Sequence, residues 1–242
     1  MNVVLVAYRW TPTKEDALRR LIRGWCSDER VLIVENHPNP NYQSRIGSTV
    51  AGTNQFAEFS GYLEGLNKVS LKGPILILND TALAHHSITF WRIQIRTWMR
   101  LGSEGIFGDP RSEQIRTEYG VLRYYASWIF WIPTPNDFEQ FRRALEYAIS
   151  NWDVVFSPNP HYRTFLATYL RGSIFHGWKN AGLRDQKAQD VKIRCIWAEH
   201  RLSQTLWSNG VKFEQLTGSH VAAMRGLDRL YSFRRRAQSF LK

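Results

Sequence analysis

The chain has 242 residues, of which 43% are hydrophobic and 14% aromatic, and its formal net charge at pH 7 is +11. This length and apolar content predict one domain with a sizeable core and exclude a largely disordered protein. The apolar runs are too short for a membrane-spanning helix, which needs about 18 consecutive apolar residues. Lys and Arg outnumber Asp and Glu by 32 to 21, which favours an anionic partner: nucleic acid, a membrane surface or a phosphorylated small molecule.

Cysteine usage and the first residues indicate the compartment. Cys26 and Cys195 are the two cysteines, and their separation suggests neither a metal motif nor a disulfide framework. The opening stretch, MNVVLVAYRW, lacks the basic start and long apolar core of a signal peptide and resembles a first strand. We therefore expect a protein of the cytoplasm.

The first half of the chain alternates two apolar patterns. Continuous apolar runs predict three buried strands, at Val3–Tyr8, Val31–Val34 and Ile75–Leu78. Apolar residues at helical spacing predict three helices, at Lys14–Cys26 (with Thr13 as a possible cap), Asn54–Leu66 and Ser87–Leu101. This alternation is typical of an α/β fold with a mostly parallel central sheet flanked by helices.

The second half is less regular. An aromatic-rich run predicts a strand over Val121–Ile132, and helical spacing predicts a helix over Asn136–Ser150. Rough alternation predicts a strand over Val191–Trp197, followed by a short helix over Arg201–Trp207 that ends at Asn209–Gly210. No repeat or linker divides the chain, so we expect a single domain over residues 1–242.

Polar residues follow each of the three strands predicted in the first half. In parallel sheets the carboxyl ends of the strands meet at the crevice where ligands bind. The sequence therefore predicts one polar cluster at the sheet edge. Its members are Tyr8, Arg9, Glu35, Asn36, Asn79 and Asp80.

These parts together resemble the nucleotide-binding half of a GT-A glycosyltransferase. The resemblance is carried by the stretches VVLVAY, ALRRLIRGW, VLIVEN, GTNQFAEFSGYLEGL and PILILND. The later stretches ASWIFWIPTPNDFEQF and WAEHRLSQTLWSNG are similar to the acceptor half of polysaccharide-building members, including the rhamnan-synthesis type. The resemblance implies a GT-A-like, Rossmann-like domain with a nucleotide-sugar half at 1–85 and an acceptor half at 86–224.

The resemblance also implies an activity: transfer of a hexosyl or deoxyhexosyl group from a nucleotide-sugar donor to a glycan or lipid-linked acceptor, in surface polysaccharide assembly. It implies that Asp80 and Asn79 bind the donor and that Glu35 meets the ribose or base. Tyr8 would stack on the base and Arg9 would touch phosphate. Ordinary structural roles stay open: a turn or cap for Asp80, and solvated surface positions for Glu35 and Arg9.

Further residues of the implied donor site lie at Asn36 and on the helix before the third strand. In the resembled family the polar side chains of that helix face the donor, and here they are Asn54, Glu58 and Ser60. Asn54 is equally well explained as a helix cap.

An acid that precedes a helix in the second half serves as general base in the resembled family, and Glu199 has that position. A first-turn role for Glu199 stays open. The neighbouring His200 is the poorer candidate, although its ordinary pKa suits proton transfer.

The metal requirement stays open on the sequence. The resembled family often carries Asp-X-Asp at the third strand, where the carboxylates hold a divalent ion on the diphosphate, but this chain has Asn79-Asp80-Thr81. Mg²⁺ or Mn²⁺ bound through one carboxylate and substrate phosphates is one possibility. A metal-free site in which Lys or Arg neutralises the diphosphate is the other. Adjacent His85 and His86 point in different directions and are not expected to share an ion.

The C-terminal segment 225–242, RGLDRLYSFRRRAQSFLK, predicts a basic amphipathic helix. Such a helix either lies on an anionic membrane, which would place the protein at the inner face of the membrane, or packs on its own domain.

Two other functions compete with glycosyl transfer. The high charge suggests a nucleic-acid-binding protein, although no nucleic-acid module is recognisable and we expect no nucleic-acid partner. The reduced acidic motif suggests a non-catalytic partner subunit that kept the fold.

Overall fold

The computed structural model describes residues 1–70, 73–101, 105–117, 120–150 and 186–211, together with Gly226 and Leu230. A six-stranded sheet forms the centre of the fold. Its strands are β1 (Asn2–Ala7), β2 (Val31–Glu35), β3 (Ser48–Ala51), β4 (Ile75–Asn79), β5 (Phe107–Thr117) and β6 (Gly120–Ile132). The described helices are α1 (Pro12–Ile22), α2 (Glu58–Leu66), α3 (Asp80–His85), α4 (Ile88–Leu101), α5 (Pro135–Ser150) and α6 (Gln186–Ser208). A short 3₁₀ turn, Asp28–Arg30, precedes β2.

The strands lie in the order β3-β2-β1-β4-β6-β5. Strand β1 pairs in parallel with β2 and β4, and β2 pairs in parallel with β3. Strand β6 runs antiparallel to both β4 and β5. Since the other three pairings are parallel, the sheet is mostly parallel. This mixed sheet flanked by helices confirms the predicted α/β class with a mostly parallel central sheet.

Each central strand contributes to two cores, one on each face of the sheet. In β1, Val4 and Val6 pack towards α2, α5 and α6, while Val3 and Leu5 pack towards α1, α3 and α4. Since successive side chains of a strand point to opposite faces, a strand buried on both sides must be apolar throughout. This is why the continuous apolar runs in the sequence identified the strands correctly.

The predicted strand Val191–Trp197 is wrong, because these residues lie in the middle of helix α6. The apolar positions that α6 contributes to the core shared with α5 are three or four residues apart, as a helix face requires. They are Cys195, Ala198, Leu202 and Leu206. The rough alternation of the segment is compatible with both patterns over seven residues, and the tertiary contacts decide for the helix.

Several helix boundaries differ from the prediction. Helix α2 begins at Glu58 rather than Asn54, because Asn54 and Ala57 have positive φ angles of 54° and 50°. Helix α1 is capped by Thr11, whose Oγ1 accepts the N–H of Lys14 at 3.3 Å, rather than by Thr13.

Strands β3 and β5 were not predicted. Strand β3 has four mostly exposed residues, and β5 contains polar residues and a proline, as edge strands do. The segment 225–242, apart from Gly226 and Leu230, lies outside the described residues.

Candidate functional site

The carboxyl ends of β1, β2 and β4 meet at one edge of the sheet. Ala7 lies opposite Glu35 in the β1–β2 pair, and Val6 lies opposite Asn79 in the β1–β4 pair. Strand β6 runs the other way, so that the residues before Ile129 reach the same edge. The structure thus gathers four strands at the place where the sequence predicted three.

Glu35 holds the loop that leaves β1. Its two carboxylate oxygens accept the backbone N–H groups of Arg9 at 2.9 Å, Trp10 at 2.7 Å and His37 at 2.9 Å. Glu35 is buried, and Arg9 has a φ angle of 73°, a left-handed conformation that a non-glycine residue seldom adopts. These contacts give Glu35 a positioning role, because its carboxylate accepts the backbone N–H groups of the strained loop and so holds the loop in place.

Asp80 is bound on the other side of the same loop. Its Oδ2 accepts the backbone N–H of Tyr8 at 3.0 Å and the ammonium group of Lys14 at 2.6 Å. Burial raises the pKa of Asp80 above its ordinary value, and the hydrogen bond and charge of Lys14 oppose this. The pair therefore consists of a largely buried carboxylate and the cation that compensates it.

Sequence reasoning did not identify Lys14. Its side chain reaches back from the first turn of α1, where the Nζ donates to the carbonyl oxygens of Tyr8 at 3.2 Å and Arg9 at 2.8 Å in addition to Asp80. One signal was available in the sequence. A lysine in the first turn of a helix is disfavoured by the helix dipole, so a lysine in the first turn of the helix that follows a buried strand indicates an acidic partner in space.

Glu58 is the centre of a second polar cluster. Its Oε1 accepts the hydroxyl of Ser127 at 2.5 Å and the amide of Asn79 at 3.3 Å, and its Oε2 accepts the thiol of Cys195 at 3.4 Å. The donors come from β6, from the end of β4 and from α6. Glu58 is the first residue of α2, where the helix dipole also favours a negative charge.

Glu199 meets the same cluster through Ser127. Its Oε1 accepts the backbone N–H of Ser127 at 2.6 Å, while the Ser127 hydroxyl binds Glu58. The carbonyl of Ser127 accepts the Tyr62 hydroxyl at 2.6 Å.

Glu199 lies inside α6, so the predicted position before a helix is wrong. Ser127, which the sequence analysis missed, is a small polar residue within the aromatic run ASWIFW of a buried strand, and this contrast was the available signal.

Burial determines the protonation of the groups around these carboxylates. It raises the pKa of Cys195 and of Tyr62 well above their ordinary values, and the charge of Glu58 adds to the shift in both. Both therefore stay protonated and act as hydrogen-bond donors. Burial lowers the pKa of His200 to about 3, so its proton affinity does not suit transfer at neutral pH, contrary to the expectation from its ordinary value.

Asn36 and Ser60 hold the loop before α2. The Asn36 amide donates to the carbonyl of Ala57 at 2.8 Å and to the Oδ1 of Asn54 at 3.4 Å. The Ser60 hydroxyl donates to the Ala57 carbonyl at 3.1 Å and accepts the N–H of Phe56 at 3.2 Å. The two left-handed residues of this loop, Asn54 and Ala57, are thus tied to β2 and α2, and this fixes where Glu58 begins the helix.

Tyr8 is the exposed aromatic residue of the site. Its side chain is 53% exposed, and its ring contacts His37 edge-on at 5.3 Å between centroids. The neighbouring Arg9 is also exposed. An aromatic face and a guanidinium group at the carboxyl end of β1 are therefore accessible to a ligand.

A divalent ion on Asp80 does not fit these contacts. Asp80 Oδ2 is engaged by an ammonium and a backbone N–H, and Mg²⁺ needs a near-octahedral set of oxygen ligands. Within the part of the chain that the structure describes, no three His, Cys, Asp or Glu side chains are grouped to hold a metal ion. His86 instead packs against Trp91 and Trp128, with centroid distances of 5.9 Å and 4.6 Å.

Comparison with known proteins finds a distant likeness to solved structures. No family model and no curated protein matches the chain. A solved structure similar to it is the 2-C-methyl-D-erythritol 4-phosphate cytidylyltransferase of Francisella tularensis. The two chains are 14% identical, the match covers 68% of this chain and 87% of the other, and the TM-score is 0.36. A likeness at this level says nothing about the reaction of the present chain.

Proposed function

We propose that this protein is a GT-A-type glycosyltransferase that moves a sugar from a nucleotide-sugar donor to a glycan or lipid-linked acceptor in surface polysaccharide assembly. One observation carries the proposal. The Lys14–Asp80 ion pair and two carboxylates joined through Ser127 lie at the same carboxyl edge of a mostly parallel sheet. That edge is where such sheets bind their ligands.

The donor would lie across the ends of β1, β2 and β4. The exposed ring of Tyr8 supports stacking on the base, and the guanidinium of Arg9 supports a contact to phosphate. Asn79 and Asp80 would face the sugar and the diphosphate. The remaining residues of the implied donor site hold the two loops that border it, and they are Glu35, Asn36, Asn54 and Ser60.

We assign the general base to Glu199. In the reaction the acceptor hydroxyl oxygen attacks the anomeric carbon, its proton passes to the Glu199 carboxylate, and the bond from that carbon to the phosphate oxygen breaks. The electron pair of that bond leaves with the nucleoside diphosphate, and the configuration of the sugar inverts. Glu58 has three donors on its oxygens and would position Ser127, whose N–H orients Glu199.

The decisive experiment separates binding from transfer. Purified protein is screened by thermal shift against UDP, GDP, dTDP and CMP and their sugars, because a ligand that binds the folded state raises the melting temperature. Transfer is then measured with the donor that binds. The Glu199→Gln variant should bind this donor like the wild type and lose transfer by a factor of roughly 100 or more, which is typical of a lost general base.

The control is Glu146→Gln, which removes a carboxylate from α5 that pairs with Arg142. It should keep wild-type transfer. Glu199→Gln activity within about threefold of the control would overturn the role of Glu199 as base. Absence of any thermal shift at millimolar nucleotide or nucleotide sugar, with or without Mn²⁺, would overturn the glycosyltransferase proposal itself.

A further inference from the structure

Three oxygen atoms converge on the ammonium nitrogen of Lys14. They are the Asp80 Oδ2 at 2.6 Å, the Arg9 carbonyl at 2.8 Å and the Tyr8 carbonyl at 3.2 Å. Two backbone carbonyls and a carboxylate around one point form an oxygen-lined cation site. The chain fills this site with its own side chain.

The environment explains why the ammonium group needs all three partners. Its side chain is 21% exposed and that of Asp80 is 16% exposed, so both charges have lost much of their hydration. Lys14 also lies in the first turn of α1, where the helix dipole repels a cation. An ammonium group has three N–H donors, and here each has an oxygen acceptor.

We propose that the Lys14 ammonium is the resident cation of the donor site, in the place of the divalent ion that metal-dependent GT-A enzymes hold at the end of the third strand, so that nucleotide binding requires no metal. This inference rests on the proposed function, since it names how that same site keeps the Asp80 carboxylate from repelling the donor diphosphate.

The electrostatics of the strand ends support this role. Without a cation, the Asp80 carboxylate would face the incoming diphosphate as a like charge, with Glu58 as a second negative group bound to the adjacent Asn79. Lys14 compensates Asp80 at 2.6 Å, and in a partly buried site this interaction is weakly screened by salt. Because its three N–H groups are already engaged, Lys14 acts on the diphosphate through its charge and by holding the Tyr8–Arg9 loop.

The first test is nucleotide binding to the wild-type protein by titration calorimetry, with UDP, GDP, dTDP and CDP as probes. Each titration is run in excess EDTA and again in millimolar Mg²⁺ or Mn²⁺. We expect dissociation constants in the two conditions to agree within about twofold. A dissociation constant that is about tenfold or more higher in EDTA than in Mg²⁺ or Mn²⁺ would overturn the inference, because it would show that binding depends on a metal.

The second test is the Lys14→Met variant, with Lys68→Met as a control that removes an exposed lysine. In EDTA, Lys14→Met should bind the nucleotide roughly tenfold more weakly, and Mn²⁺ should restore part of the loss, because Asp80 and the two carbonyls are then open to an ion. Lys68→Met should bind like the wild type in both conditions. Equal binding by Lys14→Met and Lys68→Met would overturn the inference.

Melting temperatures without nucleotide separate this inference from the proposed function. Mn²⁺ should raise the melting temperature of Lys14→Met and leave that of the wild type unchanged. If no nucleotide binds the wild type, the proposed function is wrong, but the Mn²⁺ response of the melting temperatures still decides whether Lys14 occupies a cation site. Equal responses of both proteins to Mn²⁺ would overturn the inference about Lys14. Should Lys14→Met fail to fold, Lys14→Gln takes its place, since it removes the charge but keeps a polar amide that can donate to Asp80.

Discussion

At the scale of single residues, burial decides which groups in the site exchange protons. Cys195 and Tyr62 are buried beside Glu58, their pKa values are raised, and they remain donors, Cys195 to Glu58 and Tyr62 to the Ser127 carbonyl. His200 is buried against Tyr124, with ring centroids 4.5 Å apart, and stays neutral. The adjacent residues 199 and 200 thus differ in chemistry because one faces Ser127 and the other an aromatic ring.

The pKa of His200 predicts a pH dependence of stability. Its folded value of about 3 lies below the 6.5 of the unfolded chain, so the unfolded chain binds the proton first as the pH falls. The stability that the folded state gains by keeping His200 neutral is fully present above about pH 6.5 and is lost progressively as the pH falls towards 3. Between pH 7 and pH 5 it amounts to about 2 kcal/mol. Urea denaturation at both pH values should show a smaller loss of unfolding free energy for His200→Gln than for the wild type.

The matched control is His37→Gln, which replaces a partly exposed histidine at the end of β2. Its loss of unfolding free energy between pH 7 and pH 5 should equal that of the wild type. A His200→Gln variant that loses as much stability as the wild type over this interval would show that His200 does not titrate as its burial requires.

At the scale of elements, helix α6 brings three polar side chains to the site. Cys195, Glu199 and Ser203 are four residues apart and lie on one face, since a helix turns once in 3.6 residues. Cys195 binds Glu58, Glu199 binds the N–H of Ser127, and the Ser203 hydroxyl accepts the N–H of Tyr125 at 3.0 Å. The position of the candidate base is therefore set by how α6 packs on β6 and α5.

The packing of α6 predicts the cost of truncating its core face. Leu202 is 1% exposed and lies in the core that α6 shares with α5. Leu202→Ala should lower the free energy of unfolding by about 2–5 kcal/mol, the range for a buried Leu→Ala change that leaves a cavity. Leu101→Ala, at a position 46% exposed, should change it by less than about 0.5 kcal/mol. Urea denaturation of both variants measures the difference, and equal values would contradict the docking of α6.

At the scale of the whole molecule, the charge of +11 is the dominant property. In the parts that the structure describes, no helix has the length and apolar character needed to cross a membrane. We propose that the basic segment 225–242 gives peripheral contact with an anionic membrane, which would suit a lipid-linked acceptor.

This proposal is tested by flotation with vesicles of mixed anionic and neutral lipids, and with neutral vesicles alone. Replacing Arg234, Arg235 and Arg236 by Ser should weaken binding to the anionic vesicles by roughly 100-fold, at about 1 kcal/mol for each basic residue near the surface. Ser at the exposed Arg23, Arg96 and Arg100 lowers the net charge equally and should have a much smaller effect. Equal losses in the two variants would show that net charge, and not the segment, governs binding.

The amino-acid sequence by itself determined the class of the fold and the edge at which the polar residues gather. A strand buried on both faces is apolar at every position, and its polar continuation marks where it leaves the sheet, so these features are local in the chain. They identified β1, β2, β4 and β6 and the pairs that follow the first three. Strands β3 and β5 were missed because an edge strand with exposed or polar residues has no such local pattern.

Only the tertiary structure decided which side chains meet at that edge. Lys14 and Asp80 are 66 residues apart, Ser127 is 69 residues from Glu58, and Glu199 is 72 residues from Ser127. Contacts over such separations leave no periodic signal, since they depend on strand order and helix packing. For the same reason the short alternating stretch of α6 could not be assigned locally, because packing against α5 and β6 selects its conformation.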